Sequence, residues 1–382
     1  MLMAQRLRVL LLIPHLGGGG AEQVAALLAR GLSRQKYELH LGLVTQASAH
    51  AESLPSGVTV HALGASRVRG GVIPLLRLVR RLRPELILSG MAHLNFLVLL
   101  LRPFFPPRTR VLVRQNATVS AVLASGSLPP YTRLLYRLLY RRADRVICQT
   151  RAMAGDLAAE LGLADDRIAV LPNPIDLDAI LAAAGDSAPW TGPGPHLLAL
   201  GRLSREKGFD LLLQAFAAVR RQFPSADLLI AGAGPEESAL RALCGSLGLQ
   251  AAVRFPGHLR RPYACFPGAT LFVLSSRHEG MPNALLEAAA AGLPIVALPA
   301  SGGIVDLLRD DPGAWLAPEI SSAALAGAIL DALQALPPRQ RIARKPICSP
   351  RPMPQIAGEF EFERAIESYE ALIDTTLEEA GA

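Results

Sequence analysis

The stretch HEGMPNALLEAAAAGLP at residues 278–294 predicts a loop followed by a helix. Pro282 suits the first turn of that helix, where its missing N–H costs nothing. The alanines, leucines and glutamate after it favour helix, and Gly292 and Pro294 end it. Residues 274–276, which come before the stretch, are typical of the carboxyl end of a buried strand. A strand end that leads into a helix start is where open α/β sheets bind ligands.

The start of this helix is predicted to hold an anion between two carboxylates. The backbone N–H groups of residues 280–285 surround the helix start and, with the helix dipole, favour an anion. Glu279 lies just outside the helix, and Glu287 shares a face with Asn283. Carboxylates accept hydrogen bonds from vicinal hydroxyls, and a nucleotide sugar has hydroxyls on both sides of its diphosphate. The alternative is an ordinary amphipathic helix with a solvated glutamate.

A second strand end supplies positive charge. Residues 196–209, HLLALGRLSREKGF, predict a strand up to Gly201, a loop, and a helix that begins near Gly208. Arg202 and Lys207 lie on the loop. The chain has only three lysines among 39 lysines and arginines, so a lysine on this loop indicates that the site needs a compact ammonium. A diphosphate leaving group creates such a need. The alternative is a solvated loop charge.

Alternating strands and helices predict parallel sheets in both halves of the chain. In the first half, strands are predicted at residues 7–13, 86–89, 111–113 and 146–150, and the last of these closes the sheet. In the second half, strands are predicted at 196–200, 227–231, 253–255, 271–274 and 294–298, and helices at 208–222, 236–247, 283–291 and 322–336. Polar residues at the strand ends are candidates for the site. His93 is one of them, although it could also be a structural histidine. Arg114, Gln115 and Asn116 are candidates for contact with an acceptor. Glu22, after the glycines at 17–20, is expected to cap a helix over 21–32.

Four motifs in this order resemble the retaining glycosyltransferases of family 4, which have the GT-B fold. They are the glutamates Glu279 and Glu287 separated by seven residues, the loop at 201–208, the glycine turn at 231–235, and the glycine loop at 17–22. The resemblance covers roughly residues 7–335. It implies an α/β chain with two doubly wound, Rossmann-like parallel-sheet domains that face a central cleft.

The resemblance also implies roles for individual residues. The catalytic residues that it implies are Glu279, Arg202, Lys207 and His93. The residues that it places at the donor are Glu287, Gly280, Met281, Pro282, Asn283, Ala284, Leu285, Gly234, His258 and Leu259. The residues that it places at the acceptor or at the phosphate loop are Gly18, Gly19, Gly20, Arg114 and Asn116. Retention would follow from attack by the acceptor on the face that the leaving phosphate departs from, without a protein nucleophile.

The length of 382 residues fits two domains. We predict an acceptor-side domain over residues 1–175, a donor-binding domain over 176–356, and a crossover helix at about 357–382 that packs back on the first domain. Asp176 and Asp178 have the spacing of a metal-binding pair. They follow a proline turn, however, where aspartates are expected to cap a helix. We therefore expect no metal, because Arg202 and Lys207 would do its electrostatic work.

Composition indicates a well-packed globular protein, with 51% hydrophobic and 19% charged residues. The four cysteines are widely spaced, which is typical of reduced thiols in a cytoplasmic protein. The start of the chain imitates a signal peptide, but its apolar run is too short. No run of 18 apolar residues predicts a membrane-spanning helix.

Positive charge is concentrated in the first half of the chain. Residues 1–190 hold 22 lysines and arginines against 12 aspartates and glutamates. Residues 77–83 and 131–142 mix arginine with leucine and tyrosine, which suits an anionic membrane surface such as the inner face of the plasma membrane. Nucleic acid is not expected, because no binding motif accompanies the charge. The alternative is the solvated face of a buried helix.

The resemblance implies an enzyme that moves a sugar from a nucleotide sugar, expected to be a UDP-sugar, to a glycan or a polyprenyl-diphosphate-linked acceptor. Such a reaction would serve the synthesis of cell-surface polysaccharide or glycolipid. No cofactor is expected beside the nucleotide sugar, which is a substrate. The alternatives are a nucleotide-sugar epimerase or phosphorylase of similar fold, and a catalytically silent subunit that binds sugar nucleotides.

Overall fold

The structure is a computed structural model, and it describes residues 6–17, 19–45, 56–124, 129, 131–183, 189–190, 192–259, 261–337 and 360–379. The chain forms two compact units. The first unit is Met1–Pro174 with Phe362–Ala382, and the second unit is Ile175–Glu361. The division lies next to the predicted boundary at residue 175.

The first unit is built on a sheet of seven strands whose neighbours all run parallel. The strands are β1 (Leu7–Ile13), β2 (Tyr37–Leu43), β3 (Val58–Ala62), β4 (Leu86–Ser89), β5 (Arg110–Arg114), β6 (Arg145–Cys148) and β7 (Ile168–Val170), in the spatial order β3-β2-β1-β4-β5-β6-β7. The prediction that strand 146–150 closes this sheet is wrong, because β7 pairs with β6 on its outer side. With three residues, β7 is too short for a hydrophobic pattern to reveal it.

Helices cover both faces of this sheet. Those before residue 175 are α1 (Gly20–Gly31), α2 (Val72–Leu82), α3 (Ala92–Leu101), α4 (Val119–Ala124), α5 (Thr132–Tyr140) and α6 (Arg151–Leu161). One buried cluster contains Val24 and Leu28 of α1 with strand residues. A second cluster joins α2, α3, α5 and α6 to the sheet. Because each face has its own core, the unit is doubly wound, as predicted.

The second unit repeats this plan with six parallel strands. They are β8 (His196–Leu200), β9 (Asp227–Ala231), β10 (Val253–Arg254), β11 (Leu271–Leu274), β12 (Ile295–Ala297) and β13 (Ala314–Leu316), in the spatial order β10-β9-β8-β11-β12-β13. The helices are α7 (Leu177–Ala182), α8 (Phe209–Gln222), α9 (Glu237–Ser246), α10 (Asn283–Ala290), α11 (Gly302–Leu308) and α12 (Ser322–Ala335). Two buried clusters again lie on the two faces. The sequence did not predict α11 and β13, which have seven and three residues.

The carboxyl-terminal helix α13 (Phe362–Glu378) packs on the first unit, as predicted for residues 357–382. Its residue Ile366 lies in the same core as α1. Gly31 of α1 permits this contact, because a Cβ there would overlap the Ile366 side chain. The Tyr37 hydroxyl donates a hydrogen bond to Asp374 Oδ1 at 2.5 Å. The helix is therefore an integral part of the first unit.

Helix α5 has apolar side chains on two sides. Its residues Tyr136, Leu139 and Tyr140 are buried. Leu134 and Leu138 of the same helix, and Tyr131 just before it, each have more than half of their surface exposed. The same holds for Leu100 near the end of α3 and for Phe104 in the 3₁₀ turn that follows it. Among the helices that the structure describes, none is both long and apolar enough to cross a membrane.

The strand order fixes where a ligand can bind in each unit. It reverses between β1 and β4 in the first sheet and between β8 and β11 in the second. Open α/β sheets bind ligands at the carboxyl ends of strands at such reversal points. The loop with Lys207 follows β8, and the loop with Glu279 follows β11.

Three of the four cysteines lie in the described residues, and each is a buried free thiol: Cys148, Cys244 and Cys265. Burial raises the pKa of Cys148 to about 12 and that of Cys265 to about 11. At neutral pH these two thiols stay protonated, which makes them poor nucleophiles. Cys348 lies outside the described residues.

Candidate active site

The loop between β11 and α10 holds Glu279 by both its backbone and its side chain. Ser276 Oγ donates a hydrogen bond to Glu279 Oε1 at 2.7 Å. The N–H of Glu279 donates to the carbonyl of Ala300 at 3.2 Å. The side chain keeps 12% of its surface exposed. A carboxylate that is fixed and still accessible can accept hydrogen bonds from the hydroxyls of a sugar.

Lys207 and Glu279, which are 72 residues apart in the sequence, meet at this edge of the sheet. Lys207 Nζ donates to Glu279 Oε1 at 2.5 Å. Lys207 lies in the short 3₁₀ turn Arg205–Lys207 after β8, and Arg202 is exposed on the same loop. Phosphate oxygens form charge-assisted hydrogen bonds as carboxylates do. The Lys207 ammonium at the strand end is therefore a suitable donor for the oxygens of a diphosphate.

Gly208 connects the Lys207 turn to α8 and has a positive φ of 63°. The backbone carbonyl of Ser275 occupies the space that a Cβ on Gly208 would need. Ser275 Oγ also donates to the carbonyl of Lys207 at 2.9 Å. Both the conformation and the close approach exclude a side chain here. Gly208 thus allows the Lys207 loop to lie against the end of β11.

We expect Gly208→Ala to destabilise the second unit by about 2–5 kcal/mol, because left-handed strain adds to a backbone clash. Urea denaturation measures the loss. Gly248→Ala is the matched control, since Gly248 has a φ of 68° with open space around its Cα. That control should lose only about 1–2 kcal/mol to strain. Equal losses in the two variants would contradict the role of the contact with Ser275.

Arg277, which follows β11, forms hydrogen bonds with residues that follow β8. This role was not predicted from the sequence. The Arg277 guanidinium donates to both carboxylate oxygens of Asp210, at 2.7 and 2.6 Å. It also donates to the carbonyl of Arg205 at 2.9 Å. The hydrogen bond from Arg277 lowers the pKa of Asp210, which keeps the pair ionised at neutral pH. No local pattern connects residues 67 positions apart, so only the fold reveals this pair.

The start of α10 offers fewer donors than predicted. The helix begins at Asn283, and Pro282, which has no N–H, precedes it. The N–H of Leu285 donates to the carbonyl of Pro282 at 3.1 Å. Ser301 Oγ holds the carbonyl of Gly280 at 3.0 Å. Of the predicted donors at residues 280–285, Pro282 therefore has no N–H and the N–H of Leu285 is used within the helix; anion binding at this helix start stays a prediction.

Glu287 lies on α10 with only 6% of its surface exposed. The Tyr263 hydroxyl donates to Glu287 Oε1 at 3.1 Å. Tyr263 belongs to the 3₁₀ turn Pro262–Cys265, between β10 and β11. The alternative of a solvated glutamate is therefore wrong. Sequence reasoning missed Tyr263, because its turn has no local signal that connects it to α10.

The other predicted donor residues lie on neighbouring loops of the same sheet edge. Gly234 follows β9, and the backbone of Leu203 fills the space beside its Cα. The N–H of Leu203 donates to the carbonyl of Ala233 at 3.0 Å. His258, which is exposed, and Leu259, which is half-buried, follow β10. Their contact with a donor stays a prediction.

In the first unit, His15 and Glu22 pair near His93. His15 Nδ1 lies 3.4 Å from Glu22 Oε1. Glu22 was expected to cap α1, but the residue before the helix is Gly19 and no side chain caps it. His93 keeps an accessible ring, and desolvation by its neighbours, followed by the charge of His15, lowers its pKa. A neutral imidazole at neutral pH can both donate and accept a hydrogen bond.

The predicted glycine loop reaches the start of α1. Gly19 precedes the helix, and Gly20 is its first residue. A Cβ on Gly19 would meet the carboxylate of Glu22, so a larger residue there would move the end of that side chain. Gly18 lies outside the described residues.

Arg114 and Gln115, which were predicted to contact an acceptor, turn inward and are 4% and 2% exposed. The guanidinium of Arg114 donates to the side-chain oxygens of Asn116 and Asn173. A buried charge needs such partners, and two separate segments supply them. This burial argues against direct acceptor contact by Arg114. Asn116 is partly exposed, and its side chain donates to the carbonyl of Gly90.

The Asp-x-Asp spacing is explained by helix capping. Asp176 Oδ1 accepts a hydrogen bond from the N–H of Ala179 at 3.1 Å and so caps α7, as predicted. Asp178 lies in the first turn of that helix, where the helix dipole favours negative charge. Within the described part of the chain, no three His, Cys, Asp or Glu residues are grouped to hold a metal ion.

Two doubly wound units with charged residues at the strand ends are characteristic of GT-B glycosyltransferases, and family models agree. The model described as Glycosyltransferase Family 4 matches residues 18–179. The model described as Glycosyl transferases group 1 matches residues 187–345. Together the two matches span most of the chain. The chain belongs to the group 1 glycosyltransferases of family 4, and it is an enzyme of the transferase class.

Relatives and solved structures agree with this assignment. One relative is N-acetylgalactosamine-N,N'-diacetylbacillosaminyl-diphospho-undecaprenol 4-alpha-N-acetylgalactosaminyltransferase of Campylobacter jejuni. The two sequences are 27% identical over 311 residues, which cover 78% of this chain and 82% of the relative. It is 29% identical over 294 residues, 75% of this chain and 70% of the relative, to glycogen synthase of Mycobacterium tuberculosis. Anabaena HepE, solved in complex with UDP and glucose, has a TM-score of 0.77 and 17% identity over 97% of this chain and 100% of that chain. This last likeness supports the fold.

Proposed function

We propose that this enzyme takes a sugar from a UDP-sugar and transfers it with retention at the anomeric carbon. The observation that carries the proposal is the pairing of Lys207 with Glu279 beside the start of α10. Glu287 lies on the same helix and is held by its own hydrogen bond. One carboxylate beside Lys207 and a second on the adjoining helix suit a molecule with hydroxyls on both sides of a diphosphate.

In the proposed reaction, the bond between the anomeric carbon and the diphosphate oxygen breaks while charge grows on UDP. Lys207 and Arg202 stabilise that charge together with the backbone amides at the start of α10. Glu279 binds hydroxyls of the sugar, and Glu287 binds the ribose. His93 of the first unit is assigned to the transferred sugar on the family resemblance alone.

The acceptor hydroxyl forms the new bond on the face from which the diphosphate leaves, and its proton passes to the leaving phosphate oxygen. Retention then needs no covalent bond between the protein and the sugar. The two cations do the electrostatic work that a metal does in other transferases, so the proposal includes no metal.

A thermal-shift screen of nucleotide sugars tests the donor assignment. A ligand at 100 times its dissociation constant adds about 2.7 kcal/mol to the free energy of unfolding. We expect UDP-sugars to stabilise the protein most. Stabilisation by none of the nucleotide sugars would contradict the proposal.

For the acceptor, we propose a glycan on polyprenyl diphosphate, made for cell-surface polysaccharide or glycolipid. The name of the Campylobacter relative includes a diphospho-undecaprenol acceptor. The exposed Leu134 and Leu138 on the arginine-rich α5 suit insertion at an anionic surface. We therefore propose a cytoplasmic protein that binds peripherally to the inner face of the plasma membrane.

The hydrogen bonds of the arginines on and just after α5 limit which substitutions can test the membrane proposal. Arg137 Nε donates to the carbonyl of Glu160 at 2.9 Å, and Arg142 donates to the carbonyl of Leu99 at 3.4 Å. Replacing these arginines would remove hydrogen bonds within the first unit as well as charge. The exposed leucines of α5 are the cleaner targets.

We expect the protein to bind vesicles of anionic phospholipid at low salt, and added salt to weaken the binding. Leu134→Gln with Leu138→Gln should weaken binding by about tenfold or more, because two apolar side chains no longer insert. Co-sedimentation measures both effects. Leu181→Gln is the control, since Leu181 of the second unit is 53% exposed. Failure to bind anionic vesicles at low salt would refute the membrane proposal, as would equal weakening by the control.

A further inference from the structure

Tyr263 contacts the carboxylate to which the proposed function assigns the ribose. Its hydroxyl donates to Glu287 Oε1 at 3.1 Å. The two residues come from different elements, a 3₁₀ turn and α10. No motif in the sequence includes Tyr263, and the reaction described above does not use it.

The position of Tyr263 is fixed independently of Glu287. Its ring centroid lies 5.7 Å from that of Phe266, which is buried. Trp190 Nε1 donates to the carbonyl of Cys265, at the end of the same turn, at 3.2 Å. The ring also packs against the core of the second unit. Packing therefore places the hydroxyl, and the hydroxyl in turn restrains the carboxylate.

Glu287 needs such a restraint because it is buried. A carboxylate that has lost its water is stabilised by a hydroxyl donor. A bond to one carboxylate oxygen also selects one rotation of the carboxylate plane. Two vicinal hydroxyls need two acceptor lone pairs in fixed directions. The rotation of Glu287 thus decides whether it can accept from both hydroxyls of a ribose.

We propose that Tyr263 is a positioning residue that acts through Glu287 and makes the enzyme select ribose over 2′-deoxyribose in its nucleotide. This inference rests on the proposed function, because it requires a nucleotide at Glu287. The part of the donor that the Tyr263–Glu287 pair recognises is then the ribose.

Calorimetric titration with UDP and 2′-deoxy-UDP tests the inference. The wild type should bind UDP more tightly by about 10-fold or more, the scale of a lost hydrogen bond to a charged group. Tyr263→Phe should weaken UDP binding by about 5- to 30-fold and 2′-deoxy-UDP binding by less than about twofold, so that ribose selectivity falls. In a transfer assay, the KM for the donor should rise while kcat stays within about twofold, because the ribose contact is the same in the ground state and the transition state.

Two further variants separate positioning from general packing. Tyr131→Phe removes the hydroxyl of an exposed tyrosine in the first unit and should leave both affinities unchanged. In a Glu287→Gln background, Tyr263→Phe should add little, because the two residues act as one unit.

Equal weakening of UDP and 2′-deoxy-UDP by Tyr263→Phe would show a packing role only and would overturn the inference, and so would an unchanged affinity for UDP. If the wild type binds neither nucleotide, the proposed donor is wrong and this inference falls with it. That result appears before any variant is made, so the two failures are distinguishable.

Discussion

Lys207→Ala is expected to lower kcat by about 10²- to 10³-fold, the effect of removing one preorganised donor that stabilises charge in a transition state. In the proposed reaction the ammonium faces the diphosphate as it leaves. Ser275 Oγ donates to the carbonyl of Lys207 and so fixes the backbone of this residue at the strand end, where the Lys207 ammonium contacts Glu279. Steady-state assays with the preferred donor measure the change.

Arg205→Ala is the matched control for Lys207→Ala. Arg205 lies in the same 3₁₀ turn with an exposed side chain, so the control removes one positive charge from the same loop. Its kcat should stay within about twofold of the wild type, since exposed charges contribute little. Near-normal turnover by Lys207→Ala would refute the assignment. A wild type that EDTA inactivates and Mn²⁺ restores would also count against it, because the two cations are proposed to do the work of a metal.

Glu287→Ala is expected to weaken the binding of free UDP by about 10- to 100-fold, because hydrogen bonds between the ribose and a charged group are lost. UDP-sugar should lose affinity to the same extent. Glu279→Ala should spare free UDP, since Glu279 is proposed to contact only the sugar. Removal of the Glu279 carboxylate, which Lys207 Nζ contacts at 2.5 Å, leaves the ammonium available to the diphosphate. The affinity for UDP should therefore stay the same or rise.

Calorimetry with UDP on both variants measures this division of roles, and each glutamate variant is the control for the other. The variants remove the same chemical group, one from the loop before α10 and one from the helix itself. Equal losses of UDP affinity in the two variants would show that the glutamates do not have separate partners on the donor.

The sequence predicted the elements around Lys207 and Glu279 because their signals are local. The apolar strand before Gly201 and the helix ended by Gly292 are marked by patterns a few residues long. The structure has β8 at His196–Leu200, as predicted, and α10 at Asn283–Ala290, one residue shorter than predicted. Some missed elements, such as the three-residue β13, are too short to carry a pattern. The seven-residue β2 and the eleven-residue α2 were also not predicted, although they are long enough to carry one.

What the sequence could not predict are contacts between distant segments. The Arg277–Asp210 pair and the hydrogen bond from Tyr263 to Glu287 join residues 67 and 24 positions apart. Arg114 was predicted to face a ligand because it ends a strand. Its inward turn depends on acceptors from Asn116 and Asn173, and the fold alone brings Asn173 beside β5.

NMR analysis of the transferred product tests the central claim most directly. The donor is the nucleotide sugar that stabilises the protein most, and the acceptor is a glycan on polyprenyl diphosphate. The account predicts that the new glycosidic bond keeps the anomeric configuration of the donor, that UDP forms in equal amount, and that no product forms without acceptor. An inverted configuration, or conversion of the donor without acceptor as an epimerase would give, would contradict it.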